Sequence, residues 1–318
     1  MWQEVILYIP IFMILAFMIE WMERKFLARM QSRVGPLFTG PKGFLQPLAD
    51  FIKLMNKEEI TPIGADKLLL TLIPILQVTL VTFSLMFVPI FSPNPILSYP
   101  ADLIFIIGLS VIFATLIVLT GCITPSPYAI IGAARYAELA ISFEIPYVLS
   151  IASAALVAGS TVIAEVVSFQ KLYGPIIIYA PIGFVIMLVS IMAKIERVPF
   201  DIGEAETEIA GGWQVELSGR RLAFYRLAVD LEMLLTASLC VSLYLGGGYG
   251  PFIDLFGPVM YIIWFIVKLI IVIYIISLVE AILARYRIDH VLRGFWKAVT
   301  PLGVFQVLLA VLVKMYLI

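Results

Sequence analysis

The stretch ERKFLARMQSRVGPLFTGPKGFLQPLADFIKLMNKEEITPIGADK, residues 23–67, concentrates charge between two runs apolar enough to cross a bilayer. Pro36, Gly40, Pro41 and Gly43 interrupt its centre and predict irregular chain there. The following segment, FLQPLADFIKLM, spaces its apolar residues at helical intervals and predicts an amphipathic helix at the membrane surface. The alternative interpretation is a simple anchoring loop whose basic residues lie beside lipid headgroups.

Composition places the chain among integral membrane proteins. Of its 318 residues, 62% are hydrophobic and 14% are charged, and the mean hydropathy is +1.06. A soluble domain has about half apolar and a quarter charged residues. The net charge of −1 argues against nucleic-acid binding, which requires a basic face. We therefore expect a single integral membrane domain over residues 1–318 that contacts lipid and no nucleic acid.

The apolar segments predict the fold class. A helix of roughly 20 apolar residues crosses about 30 Å of hydrocarbon. The N-terminus MWQEVILYIP has no basic region and no small-residue cleavage site, so the first apolar run is expected to remain as a helix. The sequence therefore predicts an all-α, polytopic membrane protein of about eight transmembrane helices, with the amphipathic surface helix after the first. The predicted spans lie near residues 4–22, 68–91, 103–124, 137–160, 176–194, 222–246, 256–283 and 297–317.

Lysine and arginine predict the orientation. Of the 21 basic residues, all but Lys171, Lys314 and the mid-span Lys268 fall on one side of the predicted bundle. Because basic residues accumulate on the cytoplasmic side, we expect both termini outside the cell membrane. The large cytoplasmic loops would then be residues 23–67, 195–221 and 284–296.

Cysteine and histidine are too sparse for a redox centre. Cys122 and Cys240 both lie inside apolar runs, no CxxC pair occurs, and His290 is the one histidine. Neither an iron–sulfur site nor a haem or zinc site is indicated. The chain is therefore predicted to hold no cofactor and no metal ion, so that any redox centre belongs to a partner.

Ionisable residues interrupt the fourth predicted span, in ARYAELAISFEIPYVLS, residues 134–150. An ionisable group in hydrocarbon costs about 2.5 to 3.5 kcal/mol, so each one requires an explanation. Arg135 and Glu138 are three residues apart and are predicted to form an ion pair near the interface. Glu144 is deeper and has no local cation. We interpret Glu144 as a functional residue.

A second acidic stretch, KIERVPFDIGEAETEIAGGWQVELSGRR, spans residues 194–221. Asp201 and Glu204 have the spacing of a helix N-cap and its third residue, which predicts a capping box. Glu208 would share their face if the helix continued, whereas Glu206 would not. Closely spaced carboxylates repel, so at least one pKa is expected to rise toward neutrality. The alternative interpretation is a solvated acidic loop.

Isolated charges lie within later spans. Asp230 and Glu232 fall about two turns into the sixth, Lys268 is near the middle of the seventh, and Glu280 is near the cytoplasmic end of the seventh. An unpaired lysine at that depth is costly. We therefore predict that Lys268 pairs with Asp230 or Glu232 across adjacent helices.

Four ordered strings carry a resemblance to a known family. The strings are ERKFLARMQSRVGP with GPKGFLQPLADFIKLMNKE, YAIIGAARYAELAISFEIP, ERVPFDIGEAETEIAGG with VELSG, and ARYRIDHVLRGFWK with TPL. Over nearly its whole length the chain resembles the family of H-type membrane subunits of respiratory complex I. That family also serves related membrane-bound hydrogenases and ferredoxin-oxidising complexes. Its eight-helix fold agrees with the spans predicted above.

The resemblance implies a coupling subunit that joins a membrane arm to a peripheral redox arm. Residues matching the family's coupling positions, together with the intramembrane charges, are Glu138, Glu144, Asp201, Glu204, Glu206, Glu208, Asp230, Glu232 and Lys268. Those expected at a cavity or docking face are Arg24, Arg29, Arg33, Gln46, Asp50, Lys53, Arg285, Arg287 and Asp289. No catalytic residue is expected on this chain.

The resemblance also implies the partners. These are iron–sulfur subunits of the peripheral arm, small membrane subunits and antiporter-like subunits that pump protons or sodium. Iron–sulfur clusters, and a nickel–iron centre in a hydrogenase, would be on those partners. Leu37, Val229 and His290 depart from quinone-reducing members and weigh against a quinone site. Few cysteines, a single histidine and abundant isoleucine favour a heat-adapted archaeal chain. For such a chain the resemblance implies a complex related to energy-converting hydrogenases and fed by ferredoxin.

Three alternatives remain open at this point. A secondary transporter would explain internal carboxylates, but the halves show no inverted repeat. A passive anchor for the peripheral arm would leave the cost of Glu144 unexplained. The third alternative is the quinone-site subunit of an NADH-oxidising or other quinone-reducing complex.

Overall fold

The chain folds into a bundle of helices. The structure, a computed structural model, describes residues 2–251, 253 and 257–317, and these form helices and no strands. The predicted all-α fold is confirmed. The helices are α1 (Trp2–Met30), α2 (Gln46–Met55), α3 (Lys67–Leu85), α4 (Asp102–Cys122), α5 (Pro127–Ala158), α6 (Ile163–Tyr173), α7 (Pro181–Lys194), α8 (Glu206–Ile209), α9 (Gly219–Tyr244), α10 (Pro258–Ile282), α11 (Ile288–Gly294) and α12 (Thr300–Leu317).

Most predicted spans coincide with long apolar helices. Within the described residues, six helices are long and apolar enough to cross a membrane: α3, α4, α5, α9, α10 and the continuous helical segment Ile288–Tyr316. The predicted spans 4–22 and 176–194 correspond to α1 and α7. At 14 residues, α7 is about 21 Å long and is preceded by a short 3-10 turn. The chain is thus a polytopic membrane protein.

The fourth span differs most from its prediction of residues 137–160. Helix α5 is 32 residues long and begins ten residues earlier, with Pro127 in its first turn. Its first turns stay helical because small residues let other segments approach closely. A Cβ on Gly132 would lie 2.5 Å from the backbone nitrogen of Trp213, and one on Gly121 of α4 would lie 2.5 Å from the Cβ of Ala133. Tertiary packing therefore extends the helix.

Helix α9 is the centre of the bundle. Nearly all of its apolar segment is buried, and it packs against α1, α3, α7 and α10. Helix α5 is a second centre of packing and contacts α4, α7 and α12. By contrast, α10 and the segment ending in α12 leave most of their side chains exposed or half-buried. Those outer faces suit contact with lipid. The hydrocarbon region supplies no water to satisfy polar groups, and these faces are mostly apolar.

The charged loops meet at one end, which we call the charged end: residues 31–66, 195–218 and 283–287. The first loop is fastened to the start of α9, since Ser218 Oγ accepts from the Ile60 nitrogen at 2.9 Å and donates to its carbonyl oxygen at 3.1 Å. Helix α2 confirms the predicted amphipathic helix. Its Phe51 packs against Phe17 of α1, whereas Ile52 is exposed.

Candidate functional site

An acidic cavity of about 260 Å³ lies at the charged end, among α1, α9, α10 and residues 195–214. Seven carboxylates and three guanidinium groups line it. Like charges repel strongly where little water screens them, so this excess of carboxylates favours bound protons. The charged lining residues are Glu20, Glu23, Glu196, Glu204, Glu206, Asp230 and Glu280, with Arg24, Arg197 and Arg226.

Two loop carboxyls on the wall of the acidic cavity have shifted pKa values. Burial raises the pKa of Glu204 to about 7, and the negative charge of Asp201 adds to the rise. Burial also raises the pKa of Glu196 well above its usual range, and the charge of Glu204 reinforces it. The Trp213 Nε1 donates to Glu196 Oε2 at 3.2 Å and opposes that rise. A carboxyl with a pKa near 7 gains and loses a proton at physiological pH.

Arg24 joins α1 to the surface helix α2 beside this cavity. Its guanidinium forms an ion pair with Glu20 one turn earlier and donates from Nη1 to Asp50 Oδ2 at 2.7 Å. Gln46 Nε2 donates to the other oxygen of Asp50 at 2.9 Å. Three of the predicted cavity residues, Arg24, Gln46 and Asp50, are therefore in direct contact.

Arg197 joins the loop after α7 to α1. Its Nη2 donates to Glu23 Oε2 at 2.7 Å, and the Glu23 side chain is almost wholly buried. The other oxygen, Oε1, has no hydrogen-bond partner among the described residues. A buried carboxylate oxygen is ordinarily satisfied by protein or water, so this oxygen favours a water molecule in the cavity.

A small void adjoins the acidic cavity on the side of the bundle. It measures about 10 Å³, roughly the space that one water molecule needs. Lys194 and Glu232 are among its lining residues. The acidic cavity and this void are therefore neighbouring spaces. Four residues line both spaces: Ile195, Glu196, Tyr225 and Val229.

Lys194 lies at the centre of a buried group of side chains, the Lys194 cluster, formed with Glu232, Ser110 and Tyr147. Its Nζ lies 2.5 Å from Glu232 Oε1 and donates to Ser110 Oγ at 2.5 Å. The ammonium also lies 4.7 Å from the centre of the Tyr147 ring, a distance that allows a cation–π contact. The ammonium also interacts electrostatically with Glu144, a half-buried residue that lies one turn before Tyr147 on α5. Glu144 therefore has a cation nearby, which the sequence did not reveal.

The predicted partner of Lys268 is wrong. Its Nζ donates to three backbone carbonyls after α9, those of Leu245, Gly247 and Tyr249, at 2.6, 2.9 and 2.6 Å. The chain turns back on itself at the end of α9 and brings these carbonyls over the ammonium. The lysine donates to carbonyls that lie beyond the end of the helix, where no helical donor is available to them.

The predicted capping box at Asp201 and Glu204 is also wrong. Helix α8 spans only Glu206–Ile209, and the residues before it are not helical. Asp201 instead forms an ion pair with Arg285, which lies 84 residues later. Gln214 Nε2 donates to Glu204 Oε1. Packing of the 283–287 segment against this loop provides partners that a local helix would not.

The Arg135–Glu138 ion pair is the third incorrect prediction. Arg135 Nη1 donates to Glu208 Oε2 at 2.6 Å, and Glu138 is exposed. The hydrogen bond from Arg135 lowers the pKa of Glu208, an exposed group. Because α8 is a single turn, Glu208 does not share a helical face with Asp201. Glu208 lies outside the acidic cavity, whereas Glu206 lines it.

The remaining expected docking residues lie on the surface. They are exposed and occupy the charged end or its border, where a partner could contact them. They are Arg29 at the end of α1, Arg33 in the first loop, Lys53 on α2, and Arg287 and Asp289 at the start of α11.

Sequence patterns do not reveal several residues of the site. Nothing in the sequence singles out Glu20, and Lys194 stands out only as a positive charge. Glu23, Glu196 and Arg197 open two of the family strings, but the sequence assigned them no role. Only the meeting of α1, α7 and α9 shows that these side chains line two neighbouring buried spaces.

The fold and the site define the class as a multi-pass membrane protein with a charged interior. Among the described residues, no group of His, Cys, Asp or Glu side chains is arranged to hold a metal ion. The sequence matches the NADH dehydrogenase family over residues 3–311. The chain belongs to this family, as an H-type membrane coupling subunit of complex I-like oxidoreductases. The sequence resemblance is thereby confirmed.

Individual relatives agree with this assignment. The H-type subunit of NADH-quinone oxidoreductase from Dehalococcoides mccartyi is 35% identical over 306 residues, which cover 95% of this chain and 84% of the relative. Its counterpart from Thermomicrobium roseum is 32% identical over 314 residues, covering 93% and 90%. A chain from the archaeal membrane-bound sulfane sulfur reductase, a respiratory membrane complex, superposes with a TM-score of 0.86 at 26% identity, covering 97% and 99%.

Proposed function

We propose that this subunit couples electron transfer in a peripheral arm to ion translocation through the acidic cavity and the Lys194 cluster. The carrying observation is adjacency. The acidic cavity and the void beside Lys194 share four lining residues, so Glu204 and Glu232 face neighbouring buried spaces. Charges held so close together in the protein interior are only weakly screened from one another.

The mechanism follows from the groups present. A carboxyl such as Glu204, with a pKa of about 7, changes protonation when charge appears or disappears at the loop face. That change alters the field at the Lys194–Glu232 pair. Lys194 also interacts with Glu144 on α5, so the pair transmits the change to a second helix. Glu144 is the innermost member of this path and would pass the signal to a neighbouring membrane subunit.

The ion pairs at the charged end have another role in this proposal. Asp201 with Arg285 and Glu208 with Arg135 hold loop segments together in ion pairs. We assign them to the docking face for the peripheral arm, together with the exposed residues Arg33, Lys53 and Arg287. This face would be cytoplasmic, with both termini outside, because basic residues accumulate at it.

The partners we propose are iron–sulfur subunits on the charged end, with small membrane subunits and antiporter-like subunits beside the bundle. Similarity to a chain of an archaeal sulfane sulfur reductase, a respiratory membrane complex, supports an assembly of that kind. On the sequence alone we propose that ferredoxin feeds it and that quinone is not its acceptor. The space among α1, α2 and α9 measures about 20 Å³, enough for about one or two water molecules. This chain alone therefore offers no quinone pocket there.

Ion pumping by the purified complex in liposomes tests the coupling path. Glu204→Gln and Glu144→Gln should each abolish pumping while the complex stays assembled. Glu165→Gln is the matched control, since it removes an equal charge from an exposed carboxylate outside the acidic cavity and the docking face. Full pumping in both of the first two variants would sink the proposal.

Mass spectrometry of the complex, extracted gently from its native membrane, tests the partners. Recovery with iron–sulfur and antiporter-like subunits supports the assignment. Stoichiometric nickel would indicate a hydrogenase, and iron without nickel a sulfur- or quinone-reducing relative. Recovery of this chain alone, free of metal, would contradict the proposed assembly.

A further inference from the structure

A second space, which we call the basic groove, lies on the opposite side of α1 from the Arg24–Asp50 contact. It measures about 570 Å³ and is formed by the last turns of α1, the loop residues 34–42 and α10. Lys25, Arg29 and Lys42 line it, and the rest of its lining is apolar apart from the Trp21 indole. No carboxylate lies among the described residues that line it. The groove combines an apolar floor with a basic rim.

The three cations are not neutralised by the protein. None of them forms an ion pair within the described part of the chain. Lys25 Nζ makes one long contact, to the Val34 carbonyl at 3.4 Å, and Trp21 Nε1 donates to the Lys42 carbonyl at 3.3 Å. The indole contact fixes the backbone of the loop and leaves the Lys42 ammonium free. The rim thus presents uncompensated positive charge.

The depth of the groove matches the membrane boundary. Ile270 marks its inner end and lies about 18 Å before the charged end of α10, at a rise of about 1.5 Å per residue. Trp21 lies near the last turns of α1, where an indole suits the interface between headgroups and hydrocarbon. The apolar part therefore lies at the depth of acyl chains and the basic rim at the depth of headgroups.

From this arrangement we propose that the basic groove binds one anionic phospholipid, with its phosphate at Lys25, Arg29 and Lys42 and an acyl chain along α10 toward Ile270. Basic pockets between transmembrane helices are a recognised setting for anionic headgroups. An apolar partner helix fits less well, because it would leave the three cations of the rim without a counter-charge.

Lipid retained by the intact purified complex tests the site. A Lys25→Gln, Arg29→Gln, Lys42→Gln variant should keep about one anionic phospholipid fewer per chain than the unmodified complex. The matched control is Lys57→Gln, Lys67→Gln, Lys297→Gln, which removes three exposed lysines near the same end and outside the groove. The control should retain the lipid. Equal lipid content in both variants would overturn the proposal.

A second measurement uses the unmodified complex, in case the triple variant fails to assemble. Brominated phosphatidylglycerol added to delipidated complex should quench the Trp21 contribution, measured as the difference from Trp21→Phe. Brominated phosphatidylcholine should need about a hundredfold higher concentration for the same quenching, since each of three cations strengthens binding of an anionic lipid about fivefold. Equal quenching by both lipids would exclude an anionic site. Loss of a partner subunit from the triple variant would assign the groove to a protein instead.

Discussion

Lys194 and Glu232 form an ion pair with 2.5 Å between Nζ and Oε1, and their side chains are only 1% and 2% exposed. The pair joins α7 to α9 next to the inner end of the acidic cavity. An isolated charge at this depth would be costly, so each residue depends on the other. The relationship also places the positive charge of Lys194 beside Tyr147 and near Glu144.

Breaking this pair should affect stability and coupling in separable ways. Lys194→Met or Glu232→Gln alone leaves one buried group without its partner and should lower the free energy of unfolding by about 3 to 5 kcal/mol. The double variant Lys194→Met, Glu232→Leu should recover most of that loss but not ion pumping. Thermal unfolding and pumping in liposomes measure the two effects. A double variant that pumps normally would exclude the pair from the coupling path.

The pKa of Glu204 predicts a pH-dependent effect on stability. Its pKa rises from 4.5 to about 7 on folding. Between these values the folded protein binds more protons at this carboxyl than the unfolded chain. Its contribution to stability is therefore present below about pH 4.5, falls as the pH rises to about 7 and stays low above it.

Glu204→Gln should therefore stabilise the protein at pH 8 relative to the unmodified chain, by at most about 3 kcal/mol. At pH 5 the two proteins should differ little, because Glu204 is then mostly protonated. Thermal unfolding at several pH values checks the difference. A variant whose stability follows the unmodified profile at every pH would show that Glu204 does not titrate near neutrality.

The Asp201–Arg285 pair should hold the 283–287 segment against the loop that carries Glu204. Arg285→Gln leaves a partly buried carboxylate without its cation and should lower both stability and retention of peripheral-arm subunits. The reversed pair, Asp201→Arg with Arg285→Asp, should recover part of both. A double-mutant cycle of thermal unfolding should give a coupling energy of about 1 to 2 kcal/mol. Additive effects would mean that the two side chains act independently.

Lys268 is expected to matter for stability rather than for coupling. Lys268→Met removes the donor to three carbonyls after α9 and should cost about 1 to 3 kcal/mol. Pumping per assembled complex should be unchanged. Lys171→Met is a suitable control, since that ammonium lies over the Tyr249 ring at 5.4 Å without any of these hydrogen bonds. A loss of pumping without a loss of stability would return Lys268 to the coupling path.

Local sequence was sufficient for the elements of the fold. Spans predicted at 103–124 and 222–246 correspond to Asp102–Cys122 and Gly219–Tyr244. The amphipathic helix after the first span was also predicted, because hydrophobic periodicity depends only on neighbouring residues. The early start of α5 was not, since the close approach of Trp213 to Gly132 brings together residues 81 positions apart.

The candidate site divides in the same way. The sequence alone determined the membrane class and the family, and it proposed the carboxylates Glu144, Glu204 and Glu206 as site residues, since each of these depends on residue type and order along the chain. Only the tertiary structure decided the partners: Glu208 for Arg135, Glu232 for Lys194, and three carbonyls for Lys268. The physical reason is that a buried charge is satisfied by whichever group the packing of distant helices brings within about 3 Å. Spacing along one helix does not contain that information.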